Sequence, residues 1–254
     1  MSMCRGQGAP LVHLDDWYAT PLGAEVALAE AAAVERQLEV VIGYYLIQIG
    51  VAGVFGGVGD ARIRRRIQLP ATARPSVPGL QAAAEPGFLP IASDSVDAAL
   101  LPHTLDLVAD PQAALREVER VLIPEGRVVV VGFNALSLWG AWGLVGQSRG
   151  RVPWCGRFLT PFRVRDWLTL LGFQVEAQEM LVFRPPWRRA ALRQGAALMD
   201  TLGARFWPML GGVYVIRGVK RVATLTPLRP SWAQRRALLA GGAVEPTTRE
   251  GGHA

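Results

Sequence analysis

The chain has 254 residues, half of them apolar, which is enough to bury one sizeable core and predicts one domain with a short appendage. The formal charge is +6, but Lys220 is the single lysine and the other basic residues are arginine, in a chain also rich in alanine and glycine. Compositional bias explains this as well as an anionic partner does, so charge alone does not make the chain a nucleic-acid binder. The two cysteines, Cys4 and Cys155, lack CxxC spacing and neighbouring histidines. A disulfide framework and a metal site are therefore not expected. The opening MSMCRGQGAP leads into no apolar signal-peptide core, and a cytoplasmic location is expected.

In chain order, residues 1–19 read as irregular, and Thr20-Pro21 reads as an N-cap and first turn. A helix over 20–41 follows, with Leu22, Val26, Ala29 and Ala33 only roughly periodic. Val40–Gly59 carries no charge and is long enough for a transmembrane span, with Gly53 and Gly57 forming a GxxxG pair. Its glycines and polar Gln48 argue instead for a strand over Tyr44–Ile49 that turns at Gly50 into a glycine-rich loop, so no transmembrane segment is expected. Ile63–Leu69 is the second strand, ended by Pro70, and a very short third strand is placed near Leu80–Ala84. Val96–Leu101 is a buried strand and a loop runs through Leu107. Asp110-Pro111 caps a helix whose Ala114, Leu115, Val118, Val121 and Leu122 share a face. Val128–Val131 reads as a strand buried on both sides, completing a right-handed βαβ unit.

Further on, the apolar segment Ala135–Gln147, with Trp139 and Trp142, predicts a helix packed on the sheet; a membrane-touching or substrate-covering helix is the alternative. Phe173–Phe183 is strand-like. Residues 184–209 predict an arginine-rich amphipathic insertion with a stripe at Leu192, Ala196, Met199 and Leu202. Gly211-Gly212 opens a last, alternating strand. The domain is thus expected to span 1–223, and 224–254 to be a disordered tail.

The segments DSVDAALLPHTLDLVADPQAALREVERVL and EGRVVVVGFN, with Leu89-Pro90 before them, closely resemble the fourth strand, helix and fifth strand of class I S-adenosylmethionine-dependent methyltransferases, most of all the type 11 branch. RFLTPFRVRDWLTLLGFQV resembles the helix before that family's sixth strand. The resemblance implies an α/β fold: three layers, doubly wound, with a mostly parallel seven-stranded Rossmann-like sheet whose last strand is antiparallel. It also implies the cofactor S-adenosylmethionine. The family's first loop has an acid followed by three alternate glycines; here Gln48 stands for the acid, Gly50 matches the first glycine, Ala52 and Val54 replace the others, and Gly53 is out of register.

By this resemblance the cofactor residues are Gln48, Gly50, Gly53, Leu69, Ala84, Glu85 and Leu101, with Glu85 at the adenine end. His103, after the fourth strand, and Asn134, after the fifth, are the candidate catalytic or substrate-facing groups. Their bland roles are a backbone-bonded loop histidine and a helix cap; Asp106 and Asp110 read as loop and cap residues. The leading function is methyl transfer to an unidentified acceptor, a small molecule rather than RNA, with an anion or RNA contact possible through 184–205. The alternative is a non-catalytic methyltransferase-like binding module that has lost the cofactor.

Overall fold

The structure is a computed structural model; it describes residues 9–51, 55, 62–70, 80–81, 84–144, 153–154, 156–186 and 196–222. In chain order the elements are α1 (Ala9–Tyr18), α2 (Pro21–Leu38), β1 (Gly43–Ile49), β2 (Ile63–Leu69), β3 (Leu80–Gln81) and β4 (Val96–Pro102). They continue with α3 (Thr104–Leu107), α4 (Pro111–Val121), β5 (Leu122–Phe133), α5 (Leu138–Leu144), α6 (Pro161–Leu170), β6 (Phe173–Leu181), α7 (Ala196–Phe206) and β7 (Val213–Lys220). The seven strands form one sheet in the order β3-β2-β1-β4-β5-β7-β6. β1 to β5 pair in parallel, and β7 runs antiparallel between β5 and β6. The chain divides after Val222, and the expected tail 224–254 lies outside the described residues.

The valine run explains the layering. Val129 and Val131 pack with Val26, Val34 and Leu38 of α2 on one face. Val128 and Val130 pack with Leu115 and Val118 of α4 and Val164 and Leu168 of α6 on the other. A strand with helices on both sides has no solvent face, so it is apolar at every position rather than at alternate ones.

Polar clamps fix the strand ends. Asp110 accepts from the Gln112 and Ala113 amides at 3.0 Å each, capping α4 as its sequence predicts. Asp97 accepts from the Tyr44 and Tyr45 amides, tying β4 to the start of β1. Glu117 accepts from the Leu89 amide, while Arg120 donates to the Leu89 and Ile91 carbonyls and to Glu117. The acidic and basic residues of α4 therefore hold the Leu89-Pro90 loop. Lys220 is buried and donates to Asp94, to the Glu119 carbonyl and to the Leu122 carbonyl at 2.8–2.9 Å. A cation at the end of a helix opposes the dipole of its unpaired carbonyls, and this one joins β7 to α4.

Several expectations change. Residues 9–18 form a helix rather than irregular chain, because Leu14 and Tyr18, four apart, both fall into the core beside Leu22. The segment to Leu107 contains the single turn α3. The strand expected over Tyr44–Ile49 is present as the central strand β1 and turns at Gly50; no helix among the described residues is long and apolar enough to cross a membrane. In α7, Leu202 of the expected stripe is 43% exposed. Gly203 faces inward instead, in close contact with Phe183. Leu192, and the side chain of Ala196, lie outside the described set.

Removing the Lys220 ammonium strands two carbonyls and Asp94. Lys220→Met is expected to lower the unfolding free energy by about 2 kcal/mol, the scale of charged hydrogen bonds in a buried setting. Urea unfolding measures it, and an unchanged midpoint would remove Lys220 as an anchor.

Candidate active site

The carboxyl ends of β1 and β4 meet at the point where the strand order reverses: the chain proceeds from β1 to β2 on one side and from β4 to β5 on the other. In open α/β sheets such a switch point leaves a crevice. Gly50 closes β1 with φ 105°, a left-handed conformation that glycine adopts without strain, and its amide donates to the Leu69 carbonyl. Thr104 Oγ1 donates to the Ile49 carbonyl at 2.5 Å, holding the end of β1 against the turn after β4.

His103 makes that turn. Its φ of 52° is left-handed, uncommon for a residue with a Cβ, and its amide donates to the Val131 carbonyl. The side chain is fully buried and bridges two carboxylates: Nδ1 lies 3.1 Å from Asp106 Oδ2 and Nε2 lies 3.1 Å from Glu30 Oε1. Glu30, in the middle of α2, accepts from Tyr18 Oη of α1 at 2.6 Å. Asp106 Oδ2 also accepts from the Phe133 amide at 2.8 Å, at the end of β5. The imidazole lies against the Phe133 ring, centroids 4.1 Å apart. Phe133 in turn stacks on Phe158 and Trp139 and meets the edge of Trp17.

Burial alone would drive the His103 proton off. The Glu30 charge and the hydrogen bonds to Asp106 and Glu30 override it and raise the pKa to about 9. Burial raises the Asp106 carboxyl, opposed by the bond and charge of His103. Burial, and then Glu30, push the Tyr18 phenol well above its ordinary value. At neutral pH the cluster is therefore an imidazolium donating both N–H groups to carboxylates, with a neutral phenol completing it. Such a histidine has no lone pair to offer as a base. Asp106 Oδ1 has no hydrogen-bond partner among the described residues, and neither has the buried hydroxyl of Tyr214, whose ionisation is opposed by burial and then by the Asp106 charge.

The other candidate residues are distributed as follows. Asn134 is buried and fully engaged with backbone: Nδ2 donates to the Met209 and Gly211 carbonyls, and Oδ1 accepts from the Leu136 amide. Gln48 is buried, donates to the Val51 carbonyl and accepts from Arg66. Leu69, Ala84 and Leu101 are buried together on the α4 face. Glu85 is exposed in a short bridge with Phe88. Gly53 lies outside the described residues. Gln68, beside Leu69 at the end of β2, is buried, and its Oε1 has no hydrogen-bond partner among the described residues. Among the described residues no group of three or more His, Cys, Asp and Glu is arranged to hold a metal ion.

Sequence reasoning misses Glu30 and Tyr18 and gives Asp106 only a loop role. A signal for Glu30 is present: it sits in the buried stripe Leu22, Val26, Glu30, Ala33, Gln37, where a carboxylate needs a partner.

Linkage fixes the pH behaviour of this cluster. The folded pKa of His103 lies above the unfolded value near 6.5, so its stabilisation is complete below about pH 6.5 and is lost as pH rises through about 9. Over that window the protein should lose about 3 kcal/mol of stability, the free-energy equivalent of the raised pKa. Glu30→Gln should destabilise by about 3 kcal/mol at pH 6.5 and flatten the dependence. Urea unfolding at pH 6.5, 7.5 and 9 gives both quantities, and equal slopes in the two proteins would refute the pairing.

Comparison with known proteins agrees with this geometry. A family model described as a methyltransferase domain matches residues 61–130. The chain is 34% identical over 219 residues to the uncharacterized protein YafS of Escherichia coli K12, covering 84% of this chain and 85% of that one. Among solved structures it is similar to a Thermotoga maritima S-adenosylmethionine-dependent methyltransferase described as a possible histamine N-methyltransferase. That likeness has a TM-score of 0.61 and 21% identity over 82% of this chain and 94% of the other. It is also similar to the geranyl diphosphate C-methyltransferase of Streptomyces coelicolor, with a TM-score of 0.55 and 14% identity over 75% of this chain and 76% of the other. The fold and the sequence matches lead to one assignment: the chain belongs to the class I S-adenosylmethionine-dependent methyltransferases, in the type 11 branch.

Proposed function

We propose that the protein transfers a methyl group from S-adenosylmethionine to a small-molecule acceptor in the crevice above β1 and β4. The observation that carries this reading is Gly50, with φ 105°, at the switch point: the backbone can approach a ligand there without a side chain intervening. The residues around it suit the cofactor. The unpartnered Gln68 Oε1 at the end of β2 can accept from a ribose hydroxyl, and Glu85 can accept from the adenine amino group. Leu69, Ala84 and Leu101 pack in the core on the α4 face and support the strand ends from below, and Gly53 follows Gly50 by three positions in the sequence. Gln48 acts from below, holding the Val51 carbonyl and so the loop's first turn.

When bound, the cofactor supplies a methyl group already activated on a sulfonium, so this chain's own contribution is alignment. His103 and Asn134 serve here as positioning residues. His103, locked between Glu30 and Asp106, fixes the end of β4. Asn134 fixes the end of β5. Fold neighbours named for histamine and geranyl diphosphate support a small acceptor over RNA.

Thermal melting with and without S-adenosylhomocysteine tests the proposal. The wild type should shift upward, by mass action on the folded state. Glu85→Ala, an exposed change, should keep the fold and bind about 5- to 100-fold more weakly, the cost of one hydrogen-bond partner. Absence of any shift in the wild type, confirmed by calorimetry, would favour the binding-module reading.

A further inference from the structure

The crevice does not account for the apolar side chains at the same end of the sheet. At the end of α7, Phe206 and Trp207 are 62% and 60% exposed, and Met209 and Leu210 follow them into solvent. On α5, Leu138 and Trp142 are exposed as well. The two segments are held together: Asn134 bonds the Leu136 amide on one side and the Met209 and Gly211 carbonyls on the other, and Trp139 of α5 donates to the Arg184 carbonyl. They therefore form one rim beside the end of β5, the strand end that also receives Asp106.

The two chain segments that build this rim are poor in acids. From Gly126 to Arg165 the sequence has no acidic residue. From Phe183 to Val222 it has only Asp200. Asp200 is engaged by the scaffold, accepting from the Phe183 and Arg184 amides and facing the Arg184 guanidinium. Arg184 itself also pairs with Glu25 of α2, so it belongs to the scaffold. Arg205 is exposed beside Phe206, and the same segment contributes Arg188, Arg189 and Arg193 in sequence.

We propose that this rim docks on the surface of an anionic phospholipid bilayer. Phe, Trp, Met and Leu at a helix end enter the headgroup–acyl boundary, tryptophan being suited to it by its apolar ring and polar N–H. The exposed Arg205 meets lipid phosphates, and the scarcity of acids in these two segments weakens the repulsion that an anionic membrane would otherwise exert. A bilayer accepts scattered side chains without shape complementarity, which these projecting ones need. The insertion is an interfacial foot and not a spanning element, in keeping with the 11-residue length of α7.

Cosedimentation of the full chain with vesicles tests this. Vesicles of phosphatidylcholine with about a third phosphatidylglycerol should carry down most of the protein at low salt, and phosphatidylcholine alone much less. The double variant Phe206→Ser/Trp207→Ser should reduce the bound fraction at least about tenfold, and Arg205→Glu should reduce binding to the anionic vesicles only. Both variants alter exposed side chains, so their melting temperatures should match the wild type. Failure of the wild type to sediment with anionic vesicles, or sedimentation undiminished in the double variant, would overturn the proposal. So would gel filtration in which the double variant converts a dimer to a monomer, which would assign the rim to a second copy of the chain.

Discussion

The ionic cluster of Glu30, His103 and Asp106 is the constraint on which the candidate site depends. All three side chains are buried, and burying charges is costly unless each is paired and bonded. The pairing is specific in space: Glu30 comes from α2, His103 from the end of β4 and Asp106 from α3, and Asp106 also receives the amide that ends β5. Displacing α2 would leave His103 facing one carboxylate, and displacing α3 would leave the Phe133 amide unpaired. The left-handed backbone at His103 fits this account, since a residue holds a sparsely populated conformation only where its surroundings determine it.

The strands were legible from the sequence because burial on both faces leaves an uninterrupted apolar run, as at Val128–Val131, and turn residues bracket it. The caps at Thr20 and Asp110 were equally local and stand as side chain–backbone bonds. What was not legible depends on distant partners. His103 looked like a loop histidine because its carboxylate Glu30 is 73 positions away. Arg184 looked like part of a basic patch because Glu25 lies far back on α2. Helix α1 has little sequence signal of its own; it is held by Leu14 and Tyr18 once α2 and the sheet are present. The motif residues that carried the family resemblance, Asp97, Glu117 and Arg120, do structural work, clamping β1 and the Leu89 loop. That explains why a strong resemblance in this region defines a fold more firmly than it defines an acceptor.

The cofactor end and the rim sit on different devices. The crevice is shaped by Gly50 and by Thr104 bonded to the Ile49 carbonyl, both belonging to the central strands. The rim belongs to α5 and α7, which reach the sheet through Asn134 and Trp139. A surface carried on α5 and α7 can change without disturbing the central strands that end at Gly50 and His103.

The most direct test of the central cluster is a nitrogen NMR titration of His103, with His13 and His253 as references in the same spectra. An imidazolium held between Glu30 and Asp106 should show both ring nitrogens protonated through neutral pH, with a midpoint near 9. A midpoint near 6.5, or a neutral tautomer at pH 7, would contradict the buried ion cluster and with it the account of how α2, β4 and β5 are held together.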